Sequence, residues 1–191
     1  MRYTQAELAA FAGGTLPDLI PENTRLLIAG INPGLLTVAV QAHFARPGNR
    51  FWPALYRAGI VDRLIDASEG FHPDDIRHLE ARGIGLTCIV PQATARADEL
   101  STAQLHAGGA ALRDRVARVR PRVLAVLGIG AYRTAFGDPS ARVGRQPRDW
   151  QRTQVWVAPN PSGLNAHSTL ADLASAYREI AIAAGIPPYP V

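Results

Sequence analysis

Residues 26–52 read LLIAGINPGLLTVAVQAHFARPGNRFW, and the opening of that stretch decides the fold class. Leu26 to Ala29 form an apolar run too short for a stable helix and bounded by Gly30, which reads as a buried strand. The strand ends in Gly30-Ile31-Asn32-Pro33-Gly34. The two glycines permit close backbone approach, while Pro33 restricts Asn32 toward extended geometry. Asn32 is therefore expected to be held stiffly at a strand tip. In open α/β sheets that rim is where ligands usually sit. On the pentapeptide alone, a tight turn with no further role remains open.

Working outward, Leu35 to Arg50 shows no convincing period and carries two more breakers, Pro47 and Gly48, so it reads as a loop. Phe51, Leu55 and Ala58 then fall at helical spacing, with Pro53 in the first turn and Gly59 as a stop. Further apolar runs at Leu86 to Val90, Val123 to Leu127 and Val155 to Ala158 read as strands. Between them, the sequence predicts two helical patches in Asp62 to Arg82, with His72-Pro73-Asp74-Asp75 opening the second. A further helix is expected to open at Asp98-Glu99 and to run through Gln104, Leu105 and Ala111 into the charged RDRVARVRPR segment. Ala131 to Phe136 and Leu170 to Ala184 complete the helices, and Arg142 to Arg152 reads as an arginine-rich loop. His72 and His78 read as surface residues.

Strands alternating with helices predict an α/β fold. The expectation is a single three-layer α/β/α domain with a central, mostly parallel sheet. Residues 1–24 read as a lead-in with a short helix capped by Thr4, residues 25–185 as the domain, and residues 186–191 as a tail. Two strand-end turns contain asparagine, at Asn32 and Asn160, and parallel strands place equivalent ends on one rim. Turns far apart in sequence can thus face one cleft.

Composition narrows the function. The chain has 191 residues, is 47% hydrophobic and 19% charged, which describes one ordinary soluble domain. No apolar run approaches the ~20 residues needed to cross a bilayer, and the N-terminus lacks a secretory h-region, so a cytoplasmic monomer without membrane contact is expected. Cys88 is the only cysteine, which excludes an intramolecular disulfide and an all-cysteine metal site. Neither a cofactor motif nor metal-ligand spacing is present, so no cofactor or metal is expected. GIGAYRTAFG fails the dinucleotide spacing and has no acidic ribose partner about 20 residues on. The formal net charge is +4 with no lysine among the basic residues, which favours a polyanionic partner.

GINPG and NPSGL, with FARPGNRFW between them, resemble the mismatch-specific uracil-DNA glycosylase (Mug) and thymine-DNA glycosylase family. The resemblance extends through GLTCIV, ATARADELS, LHAGG, VLAVLGIGAY and VWVAPNPSGL to the terminal AYRE, roughly Leu26 to Glu179. It implies an enzyme that extrudes uracil, especially from G·U mispairs, from duplex DNA and hydrolyses its N-glycosidic bond. Double-stranded DNA containing uracil or a mismatched or damaged pyrimidine, exocyclic cytosine adducts among them, is then the partner.

Each task of that reaction has a candidate by resemblance. Asn32 matches the residue that positions the attacking water, and Asp98 is a possible helper that activates water or stabilises an oxocarbenium-like sugar. Phe44 resembles the platform on which the flipped base stacks. Gly30, Ile31, Pro33 and Gly34 surround the base, Thr37 shapes the space around its C5, and Asn49 helps hold the loop. Leu164 resembles the apolar wedge pushed into the duplex, with the backbone of Gly163 to Asn165 pairing with the widowed guanine. Arg50, Asn160, Ser162 and His167 are further DNA-side candidates, and Arg145 and Arg148 are candidates for phosphate contacts.

The sequence also departs from the family. The wedge continues Asn165-Ala166-His167 where the Mug pattern has serine and arginine. Cys88 stands where that pattern has lysine. Asn160 takes a place where other branches use histidine, so acid catalysis is not assigned to it. Two competing classes are a mismatch-binding protein that has lost catalysis and a small nucleotide-binding α/β protein. The presence of Asn32 weighs against the first, and the absence of a phosphate loop against the second.

Overall fold

Burial of β1 (Leu26–Gly30) on both faces sets the layering. In the computed structural model, which describes residues 3–163 and 168–190, all five residues of β1 are buried. Leu26 and Ile28 point to one face of the sheet and Leu27 and Ala29 to the other, as the twofold pleat requires. A strand covered on both faces must be apolar throughout, which is why the run contains no polar residue.

The other strands are β2 (Ile84–Cys88), β3 (Val123–Leu127), β4 (Gly144–Arg145) and β5 (Gln154–Ala158). They form one sheet in the order β2-β1-β3-β5-β4. All pairs are parallel except β4 with β5. One face is covered by α3 (Phe51–Arg57), α4 (Pro73–Arg82) and α7 (Leu170–Ala183), through Phe51, Leu55, Leu79, Leu173 and Ile180. The other is covered by α5 (Thr102–Val119) and α6 (Ile129–Phe136), through Leu112, Val116, Tyr132 and Ala135. Each fully buried Leu, Ile or Phe contributes about 1.5–3 kcal/mol relative to exposure, so these two layers dominate stability.

Two shorter helices complete the chain, α1 (Gln5–Ala9) and α2 (Leu35–Val40). The lead-in is built into the architecture. Leu19 and Leu86 exchange backbone hydrogen bonds at 2.9 and 2.7 Å, and Gly13 and Gly14 bond to Ala93 at 2.9 and 2.8 Å. The Leu19 bonds cover part of the outer edge of β2, which would otherwise present unpaired backbone groups, and the Ala93 bonds hold the chain that follows it.

Several sequence expectations are corrected. Leu35–Val40 is a helix rather than part of a loop. β2 spans Ile84–Cys88, two residues earlier than expected. Residues 62–72 contain no helix, leaving only Pro73–Arg82 of the two patches. Asp98 and Glu99 lie in a separate 3₁₀ turn, and α5 starts at Thr102 behind a Ser101–Gln104 capping box. The arginine-rich loop contributes the short β4. His72 is exposed, whereas His78 is largely covered and stacks on Tyr189 of the tail.

Candidate active site

The parallel register brings the strand ends to one rim. Gly30 pairs with Cys88, and Leu127 with Ala158. Beyond the sheet, the chain after β2 continues beside the turn after β1. Ile89 donates to the Gly30 carbonyl at 2.9 Å, Val90 to Ile31 at 2.9 Å, and Thr94 to Pro33 at 3.3 Å. Backbone pairing thus holds the Asn32 turn on both sides of the asparagine.

The Asn32 side chain is fixed as firmly. Its Nδ2 donates to the Gln92 carbonyl at 3.0 Å and to Thr94 Oγ1 at 2.7 Å. A carbonyl oxygen only accepts, so the atom facing Gln92 must be the amide nitrogen, which settles the orientation of the group. The Thr94 hydroxyl donates onward to the Arg96 carbonyl at 2.7 Å. Both amide hydrogens are consumed. Asn32 Oδ1 remains as an acceptor with no partner among the described residues, on the wall of a cavity of about 360 Å³.

Gly30, Ile31, Pro33, Gly34 and Thr37 line this cavity with Asn32. Thr37 comes from α2 and is buried. Phe44 lines it too, in a left-handed backbone conformation at φ 58°. Its ring stacks on Phe51 with centroids 3.7 Å apart, so one aromatic face is covered and the other is available to the cavity. A Cβ on Gly30 would lie 3.4 Å from two carbons of that ring. Glycine there lets the strand tip and the ring approach.

Asn49, Asp98, Asn160 and Ser162 complete the predicted residues on the wall. Asn49 Oδ1 accepts from the Phe51 amide at 2.9 Å, and Asn160 Oδ1 from the Ser162 amide at 2.9 Å. These side chains shape the two loops. Asp98 is exposed, and Arg96 binds its carboxylate through Nε at 3.0 Å and Nη2 at 2.5 Å. That pairing holds the Asp98 carboxyl below the usual carboxylate range.

Arg50 is placed differently from the rest. Its Nη1 donates to the Ser168 carbonyl at 2.5 Å and its Nη2 to the Ser162 carbonyl at 3.0 Å. The guanidinium thereby ties Ser162 to Ser168. Gly163 lies against the opposite loop, where a Cβ would come within 2.9 Å of the Gly48 carbonyl. Tyr177 supports the same region by donating to the Pro159 carbonyl at 3.1 Å. Leu164, Asn165 and His167 lie outside the described residues. Arg145 pairs with Asp149 at 3.2 Å and, like Arg148, does not line the cavity.

Sequence reasoning missed Gln92, Thr94 and His43. Gln92 and Thr94 are 60 and 62 residues from Asn32, and no local pattern announces such a contact. His43 is buried on the cavity wall, and burial pushes its pKa down to about 4. Burial also pushes the Cys88 thiol up to about 12, so the cavity wall there is a neutral thiol at pH 7. Among the described residues, no group of three or more His, Cys, Asp or Glu side chains could hold a metal. No helix is long and apolar enough to cross a membrane among the same residues.

Residues 17–182 match the sequence profile of the uracil DNA glycosylase superfamily. The fold is similar to the solution NMR structure of a protein from Methanosarcina acetivorans described as a candidate uracil DNA glycosylase. The TM-score is 0.56 at 18% identity, covering 88% of this chain and 98% of that one. The likeness lies in the fold, a mixed α/β architecture whose mostly parallel sheet carries helices on both sides.

Proposed function

We propose that this chain, which belongs to the uracil DNA glycosylase superfamily, is a monofunctional glycosylase that removes uracil from G·U mispairs in double-stranded DNA. Exocyclic cytosine adducts opposite guanine are further substrates in this reading. The observation that carries it is the clamped Asn32 amide, whose Oδ1 is left as an acceptor on the cavity wall.

A base extruded from the duplex would stack on Phe44, a contact worth about 1–3 kcal/mol per base. Asn32 Oδ1 then accepts a hydrogen bond from a water aimed at the sugar C1′. The water oxygen forms the new bond to C1′ as the C1′–N1 bond breaks, and the electron pair leaves with uracil as its anion. An amide does not take a proton near neutral pH, so Asn32 orients the water without acting as a base. Asp98, tied to Arg96 and already a weak base, acts here as a negative charge near the developing oxocarbenium. Proton release to solvent and donors to the uracil oxygen must supply the rest, which predicts a slow enzyme. Leu164, the proposed wedge, lies outside the described residues, between Ser162 and Ser168, whose carbonyls Arg50 holds.

The occupied Asp98 carboxylate also favours a second reading, a mismatch-binding protein with weak catalysis. Single-turnover incubation with duplexes bearing U, T or an ethenocytosine opposite G, followed by alkali, separates the two. Uracil release with little thymine release, as buried Thr37 leaves limited room for a methyl group, is the expected result. Tight binding to G·U with no abasic product from any duplex establishes the second reading instead.

A further inference from the structure

We infer that His43 is a specificity-determining residue that reads the N3–H of the bound base through a fixed Nδ1 acceptor. The inference deepens the proposed function, since it names what the base pocket selects. It starts from a buried polar side chain that the mechanism does not use. His43 is 3% exposed, yet it lines the cavity that Asn32 and Phe44 line.

Its Nε2 lies 3.2 Å from the Pro17 carbonyl. A carbonyl cannot donate, so Nε2 must carry the hydrogen, and in the neutral ring Nδ1 is left with a lone pair. The ring is neutral at pH 7 because burial outweighs the attraction of the nearby Asp18. Pro17 belongs to the lead-in and does not line the cavity. The Nε2 edge of the ring therefore faces the lead-in. Nδ1 has no hydrogen-bond partner among the described residues, and it is not sealed away from solvent. A residue so deeply covered that keeps a reachable acceptor beside a cavity is suited to a donor on the cavity's occupant.

The anchoring that fixes the tautomer is itself well supported. Asp18, next to Pro17, accepts from Thr87 Oγ1 at 2.6 Å and pairs with Arg115 Nε at 2.7 Å. These contacts tie the lead-in to β2 and α5, so the Pro17 carbonyl cannot readily turn away. Uracil presents an N–H at position 3, whereas cytosine presents a lone pair there. An acceptor at that place attracts the first and repels the second, and an exocyclic cytosine adduct closed through N3, which has no hydrogen there, is held about 10-fold more weakly than uracil while still entering the pocket.

The test measures binding and does not depend on turnover. Duplexes carry 2′-fluoro-deoxyuridine, whose glycosidic bond resists cleavage, or its 3-deaza analogue, which has C–H in place of N3–H. Each is set opposite a tetrahydrofuran residue, so that pairing with the other strand does not differ. Wild-type protein is expected to bind the uracil duplex about 10-fold more tightly than the deaza duplex, the range of one neutral hydrogen bond. His43→Phe should bind both at the deaza level, and His43→Asn, which can place Oδ1 near the Nδ1 position, should recover part of the ratio. Equal wild-type affinity for the two duplexes overturns the inference even if His43→Phe fails to fold. So does an equal loss on both duplexes in His43→Phe. Discrimination by a wild-type protein that releases no uracil sustains this inference while removing the proposed catalysis.

Discussion

Asn32 shows how a weak chemical group becomes useful when its orientation is fixed. Its two Nδ2 hydrogen bonds, at 3.0 and 2.7 Å, leave one way for Oδ1 to point. Asn32→Ala should lower single-turnover uracil release by roughly 100-fold, the cost of losing a positioned reactant, while duplex affinity stays within a few-fold. Retained activity would move the catalytic role elsewhere, with Asp98 the first to test. Thr94→Ala should lower the same rate by about 10-fold through a freer amide, with Thr94→Ser close to wild type; equal losses in both variants would deny the hydroxyl this task. Asn32 was legible because GINPG marks a strand tip, but its clamp was not, since Gln92 and Thr94 approach it only through tertiary pairing. His43 was illegible for the same reason, and its burial has a consequence for pH. Its folded pKa of about 4 lies below the ordinary 6.5, so between those values the unfolded chain binds more protons than the native one. Stability attributable to this group is complete above pH 6.5 and is lost as pH falls toward 4, by about 3 kcal/mol. Urea unfolding at successive pH values should show that slope, and His43→Phe should flatten it; an unchanged slope would assign the acid sensitivity to other groups.

At the scale of elements, the strands were legible and their partners were not. Leu26–Gly30 and Val123–Leu127 are apolar at every position except the closing glycine of β1, because both faces are covered. β2 was misplaced by two residues because Ile89 and Val90 continue the apolar run past the sheet, where their amides bond to Gly30 and Ile31. α2 was read as loop because LLTVAV has no polar face and two valines, a sequence with weak helical preference. Packing of Val38 and Leu35 against Leu16, Ala93 and Phe11 compensates. α5 carries the opposite lesson. Gly108 and Gly109 lie inside this 18-residue helix, where alanine would ordinarily gain about 1 kcal/mol. A Cβ on Gly108 would meet the Ile89 carbonyl oxygen at 2.5 Å, and one on Gly109 would press on the Ala135 carbonyl and the Phe136 ring. Overpacking against backbone costs about 1–3 kcal/mol, which exceeds the propensity gain. Gly109→Ala should therefore destabilise, measured as a lower urea midpoint with unchanged m-value. A raised midpoint would mean that α5 can slide away from α6.

Across the whole molecule, composition limits the chemistry that the fold can perform. The sheet brings the ends of β1, β2, β3 and β5 to one rim, where the cavity wall includes Asn32, Asp98, Leu127 and Asn160. Nucleophilic amines are scarce around that rim because every basic residue in the Lys+Arg total of 20 is arginine. Arginine stays protonated and does not add to an aldehydic sugar carbon, whereas a lysine amine can form a Schiff base at C1′ and so lead to strand cleavage. With no lysine, the α-amino group of the N-terminus is the remaining primary amine, and among the described residues none before Gly30 lines the cavity. Water is therefore the expected nucleophile, and an intact abasic strand the expected product. Borohydride added during turnover should trap no covalent protein–DNA adduct, and breaks should form only after alkali or an abasic-site endonuclease. A trapped adduct would replace the water mechanism with an N-terminal amine, and mass spectrometry of the adduct's terminal peptide would locate it.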